Sequence, residues 1–130
     1  MLKEIKMNEI ENIKIGHAQD PEGATGCTVI LCEKGAPTGV DVRGGGPASR
    51  ESALLNPTAA NDGVHAVVLS GGSAFGLDAA GGVMRYLAER HIGFPVGDLV
   101  VPIVCQSCIF DLQLQANVHP DQEMAYEACR

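Results

Sequence analysis

The sequence has no tryptophan and few other aromatic residues, with two tyrosines and three phenylalanines among 130 residues. Basic residues are also scarce: nine lysines and arginines stand against sixteen acidic residues, which gives a formal net charge of −7 at pH 7. Because nucleic acids and anionic membranes are bound through clusters of basic side chains, this composition argues against both as partners. No apolar run reaches the roughly 18 residues that a transmembrane helix needs.

The N-terminus lacks the apolar segment of a secretion signal, since Met1-Leu2-Lys3-Glu4-Ile5-Lys6 continues with polar and charged residues. Five cysteines, an odd number, favour free thiols in a reducing compartment over a disulfide framework. We therefore expect a cytoplasmic protein. Cys105 and Cys108 have the C-x-x-C spacing of a redox pair or half a zinc site, but their surroundings are apolar and no second pair completes a site. We interpret them as core residues and predict neither metal nor cofactor.

The length suits a single domain with a substantial core. Residues 1–12 are polar without a clear period and are predicted to form an N-terminal arm, so that residues 13–130 would make up the domain. Sixteen glycines exceed average usage and indicate tight turns and close backbone contacts.

Local patterns predict several elements around this core. The alternation in 12–17 predicts a short strand, and Asp20-Pro21-Glu22-Gly23 predicts a turn with Gly23 in the left-handed region. The runs 26–32 and 39–43 are predicted to pair as a hairpin. A short helical segment should end before Pro57, one or two buried strands should flank Pro102 within 99–112, and a helix is predicted over 119–130.

The stretch from Val64 to Ala80 joins a β-branched strand to a helix through Gly71-Gly72. This arrangement brings backbone N–H groups together at a helix N-terminus, where they can hold an anion or a carbonyl oxygen. Residues 73–90 are predicted to form one amphipathic helix that ends at Gly93, with Ser73 as its N-cap rather than a nucleophile. The pair Gly81-Gly82 in its middle predicts close packing against a sheet or a second helix.

No catalytic constellation follows from the residues alone. Neither Ser70 nor Ser73 lies in a G-x-S-x-G motif, and the four histidines fall on four different elements. The three glycines between Arg43 and Pro47 match neither a Walker A motif nor G-x-G-x-x-G, so we favour a structural loop in which Arg43 pairs internally over one that holds a carboxylate or phosphate. The residues thus predict an α/β or α+β domain with a glycine-lined niche.

Four blocks in order along the chain carry a family resemblance. They are Gly39-Val40-Asp41-Val42-Arg43-Gly44-Gly45-Gly46-Pro47 with Arg50-Glu51, Leu69-Ser70-Gly71-Gly72-Ser73-Ala74-Phe75-Gly76-Leu77-Asp78-Ala79-Ala80, Gly93-Phe94-Pro95-Val96-Gly97, and Val101-Pro102-Ile103-Val104 before Ile109-Phe110-Asp111-Leu112. Together they strongly resemble the DmpA-type aminopeptidases, which include L-aminopeptidase/D-esterase-amidases, β-peptidyl aminopeptidases and nylon-oligomer hydrolases.

The resemblance implies a four-layer α/β/β/α sandwich and a precursor that cleaves itself into α and β chains. The new N-terminal Ser or Thr of the β chain is then the nucleophile, with its free amino group able to act as base. Family members are longer than this chain, which is expected to be part of the α half, without nucleophile or cleavage site and inactive alone. We expect it to self-associate or to pair with a missing second half.

On the same resemblance the chain would contribute only a wall of the substrate pocket, for a small peptide or an amino-acid amide. The expected substrate-binding residues are Gly71, Gly72, Ser73, Phe110 and Arg43, and no catalytic residue is assigned. Phe110 stands where several relatives carry a tyrosine that points at the substrate, so it would pack against the substrate without donating a hydrogen bond.

Two other functions compete with this one. The chain could be a non-enzymatic ligand-binding or assembly module that holds a carboxylate or phosphate in its glycine-rich loops, which nucleotide binding would favour. Alternatively, ornithine acetyltransferase, which shares the fold of the resembled family, could be the better analogy, which acyl transfer between amino acids would favour.

Overall fold

The computed structural model describes residues 1–114 and 117–130, which form a mixed α/β structure. Its main sheet has five strands in the order β1-β2-β4-β7-β3, and a separate two-stranded ribbon pairs β5 with β6. The strands are β1 Lys14–Asp20, β2 Thr25–Ala36, β3 Ala48–Arg50, β4 Val64–Ser70, β5 Phe94–Val96, β6 Leu99–Val101 and β7 Val104–Cys108. The helices are α1 Ala79–Ala88 and α2 Gln122–Ala128, with 3-10 helices at Met7–Glu9, Ser52–Leu55 and Ser73–Asp78.

Both α-helices pack on one face of the sheet. Alternate residues of β2 and β4 point toward them, because successive side chains of a strand lie on opposite faces. The resulting core includes Val29, Val68, Val83 and Leu87, all fully buried. We describe this as the helix face of the sheet.

The opposite face of the sheet is covered by neither α1 nor α2, and we call it the open face. Cross-strand partners on it include Thr28 with Leu69 and Ile30 with Val67. Leu69 is 47% exposed although it lies on a central strand. The sheet therefore buries only one of its two faces among the described residues.

The two helices approach each other closely at Gly82. A Cβ atom on Gly82 would overlap the backbone oxygen of Gln122 at the start of α2. An Arg85–Glu123 ion pair with nitrogen–oxygen distances of 2.8 and 3.0 Å bridges the exposed side of the contact. The expectation that Gly81-Gly82 packs against a second helix is confirmed.

The predicted hairpin between 26–32 and 39–43 is wrong. Strand β2 runs on to Ala36 and pairs with β1 on one side and β4 on the other, while residues 37–43 form no strand. The true hairpin joins β1 to β2, and its left-handed residue is Ala24 (φ 50°) rather than Gly23. Because both edges of β2 are already paired, residues 39–43 cannot pair with it.

The single helix predicted over 73–90 is two segments: the 3-10 helix Ser73–Asp78 and then α1, Ala79–Ala88. Ser73 is not an N-cap, because no side-chain capping hydrogen bond is present and Ser73 itself has φ 52°. The chain leaves the helix through His91 (φ 54°), with the Ile92 N–H donating to the Leu87 carbonyl, instead of through Gly93.

Other expectations are confirmed. Strand β4 and a short helix before Pro57 are present, and α2 is capped by the Asp121 carboxylate, which accepts from the Met124 N–H at 2.8 Å. Of the run 99–112, β7 is buried as predicted, but β6 lies in the exposed ribbon, with Leu99 73% exposed.

No helix in the described ranges is long and apolar enough to cross a membrane.

Candidate functional site

The turn after β4 uses its backbone N–H groups within the protein. Gly71 N–H donates to the Gly26 carbonyl at 3.0 Å, and Ser73 N–H donates to the Ile109 carbonyl at 3.0 Å. Between them, the Gly72 N–H donates to the Asp111 carboxylate at 2.6 Å. The predicted glycine-lined niche for an anion therefore exists, and the protein's own Asp111 lies in it.

Asp111 joins three parts of the fold. Its other carboxylate oxygen accepts a hydrogen bond from the Thr25 hydroxyl at 2.7 Å, at the start of β2. A Cβ atom on Gly71 would overlap this carboxylate, which is the physical reason for glycine there. Asp111 thus fixes the turn after β4 to the beginning of β2 and to the segment that follows β7.

The turn also holds an unfavourable backbone conformation. Gly72 has φ 87° and Ser73 has φ 52°, so two successive residues lie in the left-handed region. For a non-glycine residue this region costs free energy and persists only where the surroundings enforce it; such residues cluster at functional sites. The hydrogen bonds from Gly72 and Ser73 to the 109–111 segment supply that constraint.

A buried polar cluster lies on the helix face beneath the turn. The Gln106 side-chain amide donates to the Ser70 hydroxyl at 2.8 Å and to the Gly76 carbonyl at 2.6 Å. Ser70 Oγ also lies 3.1 Å from Cys108 Sγ. Burial raises the pKa of the Cys108 thiol, so it is not a thiolate nucleophile at neutral pH. Ser70 contacts no base in this cluster, whose hydrogen bonds join the turn to β7.

A cavity of about 700 Å³ opens beside the turn on the open face. Its wall includes Gly71, Asp111 and Thr25, together with Leu69 and Ser107. We call it the Asp111 cavity.

A second cavity of about 420 Å³ lies under the glycine-rich segment and shares Ser107 with the first. Arg43 lines it, but the Arg43 guanidinium already pairs with Asp41 at 2.6 Å and both side chains are largely exposed. The expectation that Arg43 pairs internally is confirmed. Arg50 and Gln106 also line this cavity, and their side chains bond to Met84 and Gly76, respectively, on the helix face.

The structure separates the five expected substrate-binding residues. Gly71 lines the Asp111 cavity, Gly72 and Ser73 complete the adjacent turn, and Arg43 lines the second cavity. Phe110 is 66% exposed and lines neither cavity. Their role in substrate binding stays a prediction.

Sequence reasoning missed Asp111 and Thr25 as the residues that fill the niche. Asp111 follows Gly72 by 39 positions and follows Thr25 by 86 positions, so no local spacing connects the three residues. The available signal was the position of Asp111 three residues after the end of buried strand β7, which lies beside β4 in a parallel pair. Carboxyl ends of parallel strands meet at one edge of a sheet.

The remaining candidate groups have structural roles. Cys105 and Cys108 stand on opposite faces of β7, and burial raises the pKa of the Cys105 thiol. His65 accepts a hydrogen bond from the Ile103 N–H at 3.1 Å, and His119 stacks on Phe75 with ring centroids 5.6 Å apart. Across the part of the chain that the structure describes, no group of three or more His, Cys, Asp or Glu is placed to hold a metal ion.

Similar proteins include ones named aminopeptidase and one named 6-aminohexanoate-oligomer endohydrolase. The chain is 42% identical over 132 residues to an uncharacterized aminopeptidase of Mycobacterium tuberculosis, covering 95% of this chain and 38% of that protein. It is 42% identical over 133 residues to an uncharacterized aminopeptidase of Mycobacterium leprae, covering 95% and 37%. It is 32% identical over 127 residues to a 6-aminohexanoate-oligomer endohydrolase of Agromyces, covering 97% and 33%.

The chain thus spans less than two fifths of the length of these curated relatives. The family model that matches is described as peptidase family S58, and the match extends over residues 6–130. A match over nearly the whole sequence, with relatives named aminopeptidase and 6-aminohexanoate-oligomer endohydrolase, confirms the resemblance carried by the four sequence blocks. The chain belongs to peptidase family S58.

Proposed function

We propose that this chain is the α-chain part of a self-processing aminopeptidase or amidase that releases N-terminal amino acids from peptides, amides or esters. The observation that carries the proposal is the family match over residues 6–130. The chain supplies a pocket wall, and the nucleophilic Ser or Thr belongs to the part of the relatives that this chain does not cover. In this role the chain alone does not turn over substrate.

The open face supports a place in a four-layer α/β/β/α sandwich. The helices cover one side of the sheet, while Leu69 is 47% exposed in the middle of the other. A central strand with an exposed leucine favours burial against a further layer, since contiguous exposed apolar surface marks an interaction site. In this proposal residues 1–12 are an arm, residues 13–130 form two of the four layers, and a second sheet packs on the open face.

The expected pocket residues cluster around one end of the sheet, with the exception of Arg43. Gly71, Gly72 and Ser73 form the turn beside the Asp111 cavity, and Phe110 adjoins Asp111 in sequence. We propose that this turn and Phe110 contact a small peptide or amino-acid amide in the cytoplasm. Arg43 belongs to the neighbouring cavity and contributes from the glycine-rich segment.

Complementation tests this function. The 130-residue chain is produced alone and together with the portion of the Mycobacterium tuberculosis relative that it does not cover, and hydrolysis of aminoacyl p-nitroanilides is measured. We expect no turnover from the chain alone and turnover from the pair. Turnover by the chain alone that disappears with Ser70→Ala or Ser73→Ala contradicts the proposal.

Two leucines provide a matched test of the second sheet. Leu69→Glu places a charge on the open face, whereas Leu99→Glu places the same charge on the exposed β5–β6 ribbon. We expect Leu69→Glu alone to prevent co-purification with the complementing half. The chain without that half should self-associate in light scattering, and a stable monomer would count against an uncovered apolar face.

The ligand-binding alternative has one supporting observation, the cavity of about 420 Å³ beneath the glycine-rich segment. Arg43, the cation expected to hold the ligand, is paired with Asp41, while Arg50 also lines the cavity. Calorimetry with nucleotides and simple carboxylates distinguishes the two functions, because saturable nucleotide binding that Arg43→Ala abolishes favours the alternative.

A further inference from the structure

The two edge strands of the main sheet differ in length. β3, at one edge, has three residues, whereas β1, at the other, has seven and is as long as central β4. An exposed edge pairs readily with another strand, so proteins protect it by keeping the strand short, by a bulge or proline, by charges, or by a covering segment. β3 is protected by its shortness, and β1 is not.

β1 also lacks the other protections along most of its length. Its seven residues pair one to one with β2, from Lys14 with Leu31 to Asp20 with Thr25, so it contains no bulge. It has no proline, and its two charged residues, Lys14 and Asp20, are its end residues. Within residues 1–114 and 117–130, no strand pairs with the outer edge of β1.

The outer edge presents the backbone groups of every second residue of β1. The Gly26 carbonyl accepts a hydrogen bond from the Gly71 N–H, so the backbone groups of Gly26 point toward β4. Those of the next residue, Cys27, therefore point toward β1 and pair with Ala18. By the same alternation, three residues of β1 direct their N–H and C=O groups to the outer edge: Ile15, His17 and Gln19.

The charges of β1 complement a second copy of the same strand. If two copies pair antiparallel over their full length, His17 lies opposite His17 of the second copy and Lys14 lies opposite Asp20 of the second copy. Lys14 and Asp20 are an even number of positions apart, so they lie on one face of the strand and meet on the same face of the pair. Two-fold symmetry repeats this contact at the other end. Parallel pairing with the same overlap would instead place like charges together.

Both charged groups retain capacity for this contact. The Lys14 side chain is 67% exposed, and Glu33 takes one of its three N–H donors at 2.7 Å. Asp20 uses Oδ1 for the Glu22 and Gly23 N–H groups at 3.0 and 2.9 Å, and Oδ2 accepts no hydrogen bond from the described residues. Because exposed ion pairs contribute little free energy, these contacts select the register, while the backbone hydrogen bonds supply most of the affinity.

We propose that β1 is an interface at which two copies of this chain join their main sheets, antiparallel and centred on His17. The joined sheet has five strands from each copy. The contact is made along the edge, so the open face of each copy stays available to a further layer. The interface goes beyond the proposed hydrolase function and does not depend on it.

A cysteine at the centre of β1 tests the register directly. In His17→Cys the two new thiols lie on directly opposite residues, with about 5.5 Å between Cα atoms, which is within the range of a disulfide. Gln19→Cys, on the same face, is the matched control, because its two copies are four residues apart along the strands, about 13 Å. We expect diamide oxidation of the full 130-residue chain to cross-link His17→Cys into a covalent dimer, and Gln19→Cys at least about tenfold less.

Proline and alanine at His17 separate the backbone from the side chain. His17→Pro removes the outward N–H and keeps the pairing with β2, since proline is tolerated in an edge strand where its nitrogen faces solvent. His17→Ala keeps the N–H and loses only the side chain, with its 2.8 Å contact to Thr28 Oγ1. Both are made in the Leu69→Glu chain, so that association through the open face does not contribute.

Sedimentation velocity measures the dimer dissociation constant of these chains. We expect His17→Pro to raise it at least about tenfold, because two symmetry-related hydrogen bonds are lost, and His17→Ala to change it less than about threefold.

The proposal is overturned if Gln19→Cys cross-links as readily as His17→Cys, if neither cross-links, or if His17→Pro and His17→Ala weaken the dimer equally. The cross-linking comparison decides the matter even if His17→Pro does not fold. Because no hydrolysis and no complementing half are involved, a failure here is separate from a failure of complementation.

Discussion

The contact between α1 and α2 allows two adjacent glycines to be compared directly. Gly81 and Gly82 both lie inside α1, so replacing either by alanine gains about 1 kcal/mol of helix propensity in an exposed helix. Their surroundings differ. A Cβ atom on Gly82 overlaps the backbone oxygen of Gln122, whereas one on Gly81 first meets the Gln122 side chain, 2.9 Å from its Cδ. Only the side chain can move without displacing α2.

We expect Gly82→Ala to destabilise the protein and Gly81→Ala to be neutral or stabilising. Forcing one extra carbon into a packed contact costs about 1–3 kcal/mol, and a backbone clash belongs at the upper end because α2 also carries buried Ala125 and Ala128. Subtracting the gain in helix propensity leaves a net loss of about 2 kcal/mol for Gly82→Ala. For Gly81→Ala the cost is a shift of Gln122 and its hydrogen bond to Asp78.

Urea denaturation followed by far-UV circular dichroism measures both free energies of unfolding. Adding Gln122→Ala should not rescue Gly82→Ala, since the clash involves the backbone oxygen, but should raise the stability of Gly81→Ala. If Gly82→Ala is as stable as Gly81→Ala, the close approach of the two helices is not what requires glycine at position 82.

Three further outcomes are expected. Ser73→Gly should stabilise the protein by up to about 1 kcal/mol in thermal unfolding, because glycine adopts the positive φ of 52° without the strain of a side chain. Ser73→Ala keeps that strain and should not stabilise the protein. A Ser73→Gly protein that is less stable than Ser73→Ala contradicts this expectation. Burial lowers the pKa of His65 from 6.5 in the folded protein, so the unfolded chain takes up the proton at a higher pH than the folded chain does. The free energy of unfolding should therefore fall as the pH drops through 6.5. His65→Gln should reduce this pH dependence of the free energy of unfolding, measured by urea denaturation. Asp111→Ala leaves the buried Gly72 N–H unpaired and should cost about 2–3 kcal/mol, against less than about 1 kcal/mol for Asp111→Asn, in the same assay.

Elements fixed by local pattern were predicted from the sequence, while their partners were not. Val64–Ser70 is a strand because it is β-branched and ends at two glycines, and α2 begins where Asp121 can cap it. The pairing of β4 with β7 and of β2 with β4 depends on contacts between residues about 40 positions apart. The predicted hairpin failed for that reason: sequence proximity favoured 39–43, and the sheet used β1 and β4 instead.

Left-handed backbone positions show the same limit. The sequence favours glycine there, yet Ala24, Ser73 and His91 adopt positive φ, while Gly23 and Gly93 do not. Gly93 is needed for a different reason, since a Cβ atom on it would lie 2.7 Å from the Pro102 nitrogen. Packing between distant segments decided these positions, and no local turn rule contains that information.

Asp111 determines what the turn after β4 can do. Because its carboxylate takes the Gly72 N–H, and Gly26 and Ile109 take the N–H groups of Gly71 and Ser73, these three donors are not available to a substrate oxyanion. A negative charge fixed beside the turn would moreover repel an oxyanion. On the proposed function, oxyanion stabilisation is then expected from donors outside this turn, whose hydrogen bonds join β4, the start of β2 and the segment after β7. The same carboxylate that fills the niche therefore argues against a direct part for this turn in oxyanion stabilisation.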